Sequence, residues 1–524
     1  MVRLVCLVAM ALVQLPWAFV AAQDRYDFAI VNGRVLDGMG NPWLDVDIGI
    51  RGDRIVALGS LDAGRADRVI DAEGLYVAPG FIDVHSHAAD GLARSELSGA
   101  IPILAQGVST VVLNPDGGGP WPLSEQRASY ESEGIGVNAA LMTGHGSIRR
   151  QVMGMEDRPP TDEEMSRMKA MVREAAGEGS FGLSTGLYYA PGSYASTDEV
   201  LALAKELGGS GVYSSHIRDE GDYTVGLLAA VDEVIRIAEE AHIAGIVTHM
   251  KALGPGNWGK VVPATIRIER ARARGVSVWA DQYPYQASGT SITGALVPRW
   301  AQAGETMPGR PSPLEQRLTS QAERARLRAE MIVNIERRGG PGSLQVSRHR
   351  ADPSIEGTRL SDLAESRGVA PVDLALSLLE QGGAGLVSFN MSENDLAHIM
   401  KKDYTMTCSD GGLVAMGEGK PHPRYYGTFP RKIALYVRER GVVTLPHAIR
   451  SMTSLPAAVF GMAARGQVRT GAFADLVVFD LEEMTDLATY NDPHQVSTGV
   501  VHMFVNGSLT GPGVRAGAVL SPSE

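Results

Sequence analysis

Apolar runs of four to six residues recur along the chain, and their spacing changes twice. Between residues 27 and 77 the runs are short and broken by turn residues: Phe28-Ala29-Ile30-Val31, Asp47-Ile48-Gly49-Ile50 and Arg54-Ile55-Val56-Ala57-Leu58. Asn-Gly, Arg-Gly-Asp and Gly-Ser separate them, which predicts a small β unit. The same texture returns at the far end in Leu476 to Asp480 and Val500 to Gly507. Two strand-rich ends around a long middle predict one β-sandwich assembled from residues 23–79 and 466–524.

The middle, residues 80–465, alternates apolar runs with segments of helical period. Strands are predicted at Phe81 to Val84, Thr110 to Leu113, Gly182 to Ser184, Val212 to Ser215, Gly245 to Thr248, Val276 to Ala280, Leu386 to Phe389 and Thr405 to Thr407. Thr161 to Ala176 and Thr224 to His242 carry apolar residues at helical spacing between them. Such alternation over more than 300 residues predicts an α/β fold, a (β/α)8 TIM-like barrel. Residues from about 296 to 350, rich in Arg, Pro and Gly, break the rhythm and read as an inserted subdomain.

Composition changes this picture little. The chain has 524 residues, 44% hydrophobic and 21% charged, enough for one large core with attachments. A net charge of −12 argues against a nucleic-acid partner, which requires a basic face. Residues 1–22 read as a secretory signal: Arg3, an apolar core from Leu4 to Val13, and the small residues Val20-Ala21-Ala22 before a cleavage site. The mature protein is therefore expected in the periplasm or outside the cell, with no membrane anchor. It would keep Cys408 alone, so no intrachain disulfide forms.

Candidate chemistry gathers where predicted strands end. His85 and His87 follow Phe81 to Val84, and strand spacing turns both to one side. Asp116 follows Thr110 to Leu113, His216 follows Val212 to Ser215, and His249 follows Gly245 to Thr248. Asp410 follows Thr405 to Thr407 through Cys408. Barrel enzymes place their working groups on that rim, and imidazoles with carboxylates are the donors of an open metal site. Each residue alone has an ordinary structural explanation; four histidines and two aspartates in one register point to a metal centre.

Several longer stretches carry a family resemblance. They are Gly80 to His87, Gly182 to Gly192, His216 to Glu220, His249-Met250-Lys251, Asp281 to Tyr285, Ser409-Asp410-Gly411 and His422 to Pro430. With them the chain resembles the amidohydrolase superfamily, and within it the N-acyl-D-amino-acid deacylases (D-aminoacylases). The resemblance implies a zinc enzyme in which His216 and His249 hold the tighter ion, and His85 and His87 serve a second position. Asp410 matches the general acid/base and a metal ligand. The chain departs from the family at Asp116, in Asn114-Pro115-Asp116-Gly117, where cysteine is common. A carboxylate there can ligate or bridge ions and is harder than thiolate, which admits manganese or cobalt beside zinc. No lysine suits the carboxylated bridge of other relatives, since Lys169 and Lys205 both lie in helical patterns.

The resemblance implies hydrolysis of a linear amide, with Asp410 taking the proton of water and giving it to the leaving amine. It also marks Lys251, Tyr189, Tyr283 and Ser288 as substrate-binding residues. His145 and the His422–Arg424 pair are candidates for the mouth of the site, and Arg299, in the inserted region, could reach the substrate. Cys408 reads as a small buried residue. The expected partner is a small N-acyl amino acid, with a homo-oligomer left open. Three other readings stay open: a cyclic-amide hydrolase, a dipeptidase, and a non-catalytic barrel that serves as a scaffold.

Overall fold

The computed structural model describes residues 25–306 and 309–522, so the predicted signal segment lies outside the described residues. Eight parallel strand positions make up the middle of the chain, one of them split into Asn138–Leu141 and Thr143–Gly144. Phe81–Asp83, Val108–Leu113 and Asn138–Leu141 form one run, and Thr143–Gly144, Gly182–Gly186, Val212–His216, Ala244–Val247, Val278–Gln282 and Thr405–Thr407 form the next. Phe181 N–H donates to Leu141 O at 2.9 Å and joins the runs. The ring closes where His87 bridges Gly412 in parallel, with His87 N–H on Gly411 O at 2.8 Å and Asp410 N–H on His85 O at 2.9 Å. That closure puts the first and last strand ends, both bearing candidate ligands, side by side.

Helices cover the outside. Asp162–Gly177 starts in a capping box, Thr161 with Glu164, and three acids occupy its first turn. Leu227–Ala241 buries Leu227, Ala230, Val231, Val234, Ile237 and Ala238. These residues pack with Leu183, Tyr213, Val247 and Ala280 of the strands. The alternate strand positions, ending in His216, therefore face the other way.

The chain ends meet as expected in two packed sheets. Tyr26–Val31, Asp47–Arg51, Arg54–Gly59 and Ala66–Asp71 form one. In the other, Tyr76–Pro79 pairs antiparallel with Leu476–Phe479, Val77 opposite Val478. Ile30, Ile48, Ile50, Ile55, Leu476, Val478 and Phe504 fill the space between.

Two expectations need correction. Leu386 to Phe389 is not a barrel strand: Gly385–Ser388 lies antiparallel between Ser288–Ser291 and Leu344–Arg348. The excursion therefore begins at Ser288 and returns at Ser388, wider on both sides than 296–350. It has its own core, with Leu296, Leu327, Met331, Ile335, Val346, Leu374 and Leu386. The missing barrel strand is Asn138–Leu141. A buried four-residue apolar run reads alike in a parallel barrel and an antiparallel sheet, so pairing alone separates them. No helix among the described residues is long and apolar enough to cross a membrane.

Candidate metal centre

The strand ends turn sharply to bring their side chains inward. Asn114 (φ 62°), Asp116 (φ 55°), His249 (φ 33°) and Asp410 (φ 49°) all have left-handed backbones, uncommon without glycine. Strain of this kind persists only where the surroundings enforce it, and four of the eight such non-glycine residues among those described lie on this rim.

Six predicted residues converge. His85, His87, Asp116 and Asp410 form one group; Asp116, His216 and His249 form a second, with donor atoms in each group within 4.8 Å of one another. Asp116 belongs to both. Its Oδ1 is 3.3 Å from His85 Nε2 and 3.5 Å from His249 Nε2. Its Oδ2 is 3.6 Å from His87 Nε2 and 3.5 Å from His216 Nδ1. Asp410 Oδ1 lies 3.1 Å from His87 Nε2 and 3.7 Å from His85 Nε2.

These distances bring donors together without making hydrogen bonds. Both ring nitrogens of His85 and of His216, and Oδ1 of Asp116, are buried with no hydrogen-bond partner among the described residues. Orphaned buried polar atoms are costly, and an ion at each group would satisfy the three that face one another, His85 Nε2, His216 Nδ1 and Asp116 Oδ1. The donor set of imidazole nitrogens and carboxylate oxygens suits zinc, and also manganese or cobalt.

A second layer orients the ligands. Glu220 Oε1 pairs with Lys251 Nζ and lies 3.0 Å from His249 Nδ1, while Oε2 faces His216 Nε2 at 3.7 Å. One buried carboxylate thus addresses the outward nitrogens of both histidines whose other nitrogens face Asp116. Burial opposes its ionisation, but Lys251 and the two imidazoles outweigh burial and hold Glu220 well below the usual range. Asp281 accepts the His249 backbone N–H at 2.6 Å, and Asp83 accepts Ser409 N–H at 2.8 Å beside Asp410. Burial raises Asp281 to about 6 and Asp83 to about 7.

Asp410 is anchored on its far side: Arg424 Nη1 is 2.8 Å from Oδ2. Burial would raise its carboxyl, but Arg424 and the neighbouring imidazoles hold it well below the ordinary value. Burial takes His85 down to about 3, whereas at His87 and His249 burial is outweighed by the neighbouring carboxylates, which raise them to about 9 and about 10; a bound cation requires each of these imidazoles neutral.

A cleft of about 980 Å³ opens above the two groups. Its walls include the predicted substrate residues Tyr189, Lys251, Tyr283 and Ser288, and also His422 and Arg424. The Tyr189 ring lies 4.6 Å from that of His216, and its hydroxyl pairs with Thr290 at 3.1 Å. Lys251 is committed to Glu220 and to His249 O. His145 is not at the mouth: it is buried against Glu199 at 3.1 Å, with Arg149 on the same carboxylate. Arg299 does not line the cleft; its Nε donates to Tyr188 O at 2.9 Å. Cys408 is buried, its thiol pushed up by burial and nearby aspartates. The sequence pattern assigned no role to Glu220, although an acid four residues after a candidate ligand histidine was a usable signal.

The model of the Amidohydrolase family matches residues 68–510, most of the chain. The chain belongs to the amidohydrolase family. Among its curated relatives is the N-acyl-D-glutamate deacylase of Alcaligenes xylosoxydans xylosoxydans, 35% identical over 513 residues and covering 94% of each chain. The D-aminoacylase of the same organism is 34% identical over 92% of this chain and 94% of its own. The N-acyl-D-glutamate deacylase of Bordetella bronchiseptica, solved with zinc and a phosphonate mimic of the tetrahedral intermediate, superposes with a TM-score of 0.81. It is 32% identical and covers 95% of this chain and 100% of its own. A D-hydantoinase at 15% identity and a TM-score of 0.54 shares the fold.

Proposed function

We propose that this amidohydrolase hydrolyses the amide bond of N-acyl-D-amino acids, releasing a D-amino acid and a carboxylate with zinc as its resident metal. The observation that carries the reading is the paired ligand groups sharing Asp116, with Asp410 beside them at the floor of an open cleft. Full-length similarity to deacylases of N-acyl-D-amino acids supports the substrate class.

When bound, the metal supplies a Lewis acid that polarises the amide carbonyl and lets water ionise near neutral pH. His216 and His249 with Asp116 would hold one ion, and His85, His87, Asp116 and Asp410 a second. The remaining work belongs to side chains. Arg424 keeps Asp410 anionic and holds Oδ2, leaving Oδ1, 3.1 Å from His87 Nε2 among the ligand side chains, as proton acceptor. An amine anion leaves poorly, so Asp410 returns that proton to the nitrogen as the C–N bond breaks. Tyr189, Tyr283, Ser288 and Lys251 line the space where the amino-acid half would lie. No serine or cysteine nucleophile enters.

The test is a panel of N-acetyl-D- and N-acetyl-L-amino acids with the zinc-loaded enzyme, following amine release. Turnover confined to the D series is expected, with Asp410→Asn slower by about 10²–10⁴-fold at retained zinc. Equal turnover of the L series would replace the reading with a broader amidase. Zinc binding with no turnover of either series would reject it.

A further inference from the structure

Four lysine and arginine side chains line the cleft, and three of them are already paired. Lys251 is on Glu220, Arg348 on Glu418 at 2.9 Å, and Arg424 on Asp410 at 2.8 Å. Arg338 is the exception. It comes from the inserted subdomain, is 2% exposed, and has no carboxylate partner among the described residues. Its Nε donates to Ala295 O at 3.1 Å, Nη1 to Ser388 Oγ at 3.2 Å and Nη2 to Tyr188 Oη at 3.1 Å. A guanidinium has five N–H donors, so about two of them are left over.

Neutral acceptors satisfy some hydrogen bonds but do not cancel the charge, and a buried unpaired cation is costly. The neighbourhood adds positive charge. Arg299 sits 4.2 Å over the Tyr188 ring, also without a carboxylate, and its Nη2 is buried with no partner among the described residues. The position is one side chain from the metal centre: the Tyr188 hydroxyl accepts from Arg338, and the Tyr188 ring lies 5.4 Å from the ring of His216. Ser388, the second acceptor, is the register partner of Ser288 on the cleft wall.

We propose that Arg338 is the cation that receives a carboxylate of the substrate. The proposal rests on the deacylase reading for the identity of that substrate. A planar guanidinium with spare donors matches a carboxylate, whereas Lys251 already has its anion in Glu220. Two carboxylates qualify, the α-carboxylate of every N-acyl amino acid and the side-chain carboxylate of an acidic one.

Acid and amide pairs separate them. The zinc-loaded enzyme and Arg338→Met are compared on N-acetyl-D-methionine against N-acetyl-D-methioninamide, and on N-acetyl-D-glutamate against N-acetyl-D-glutamine. The acid-over-amide ratio of kcat/KM should fall by about tenfold or more in one pair, which names the carboxylate. Arg338→Lys, which keeps the charge without the fork, should retain part of that ratio. Unchanged ratios in both pairs overturn the proposal, as does wild-type enzyme indifferent to acid and amide. Should no substrate turn over, the deacylase reading fails on its own. Calorimetric binding of D-glutamate against D-glutamine, and of D-methionine against D-methioninamide, then decides Arg338. Acid preference lost in Arg338→Met supports the assignment, and preference retained there, or absent in the wild type, rejects it.

Discussion

Glu220→Gln separates the second layer of the metal centre from the fold. The carboxylate pairs with Lys251 and faces His249 Nδ1 at 3.0 Å and His216 Nε2 at 3.7 Å. An amide keeps the shape, removes the charge, and sets an NH2 against groups that are themselves donors. Two costs follow, on different observables. Loss of the carboxylate behind ligating histidines weakens metal binding by about 10–100-fold, or about 1.4–2.7 kcal/mol. Leaving Lys251 buried without its anion costs about 3–5 kcal/mol of folding stability. Chelator competition for zinc reads the first, and denaturant unfolding of the metal-free protein reads the second. The double variant Glu220→Gln/Lys251→Met removes the stranded ammonium, so it should recover stability but not zinc affinity. Wild-type zinc affinity in Glu220→Gln would refute the buttressing role. Recovery of both quantities together in the double variant would show that the single variant had only distorted the fold.

Two further outcomes are expected. Lys432 is buried with its ammonium on Thr407 and Ser451, each at 2.7 Å, and burial lowers it from 10.5 to about 7. Between those values the unfolded chain binds the extra proton, so this group's penalty is full below pH 7 and fades toward pH 10.5. Lys432→Met should therefore stabilise most at pH 6, by at most about 5 kcal/mol, and least at pH 10; melting curves that shift equally at both would contradict this. Gly186 lies against the loop that carries Asp116, and a Cβ there would fall 2.2 Å from Asp116 O. Gly186→Ala should displace that backbone, costing about 1–3 kcal/mol and lowering zinc content measured by elemental analysis; unchanged content would mean the loop yields without moving the carboxylate.

Much of the site was legible because of one regularity. In a β/α barrel the strand ends share a rim, so polar residues that each follow an apolar run meet there even when far apart in sequence. His85, His87, Asp116, His216, His249 and Asp410 stand out on that ground, and they do converge. The sandwich was legible for a similar reason: both chain ends carry short strands between turns, and Tyr76–Pro79 meets Leu476–Phe479. Where local pattern is ambiguous, sequence and fold part company. Leu386 to Phe389 looks like a barrel strand, and Asn138-Ala139-Ala140-Leu141 hardly looks like a strand at all.

Partnership was beyond the sequence. His145 and His249 are both histidines in the middle of the chain, yet one is packed against Glu199 and the other faces Asp116. Of the cations in the cleft wall, Lys251, Arg348 and Arg424 found carboxylates, and among the described residues Arg338 did not. Periodicity follows from backbone geometry and is written locally, so the sequence determined which residues reach the rim. Charge pairing acts between segments whose local patterns say nothing of each other, as between Arg348 and Glu418, 70 residues apart, so only the tertiary structure decided which of those residues stand free to act.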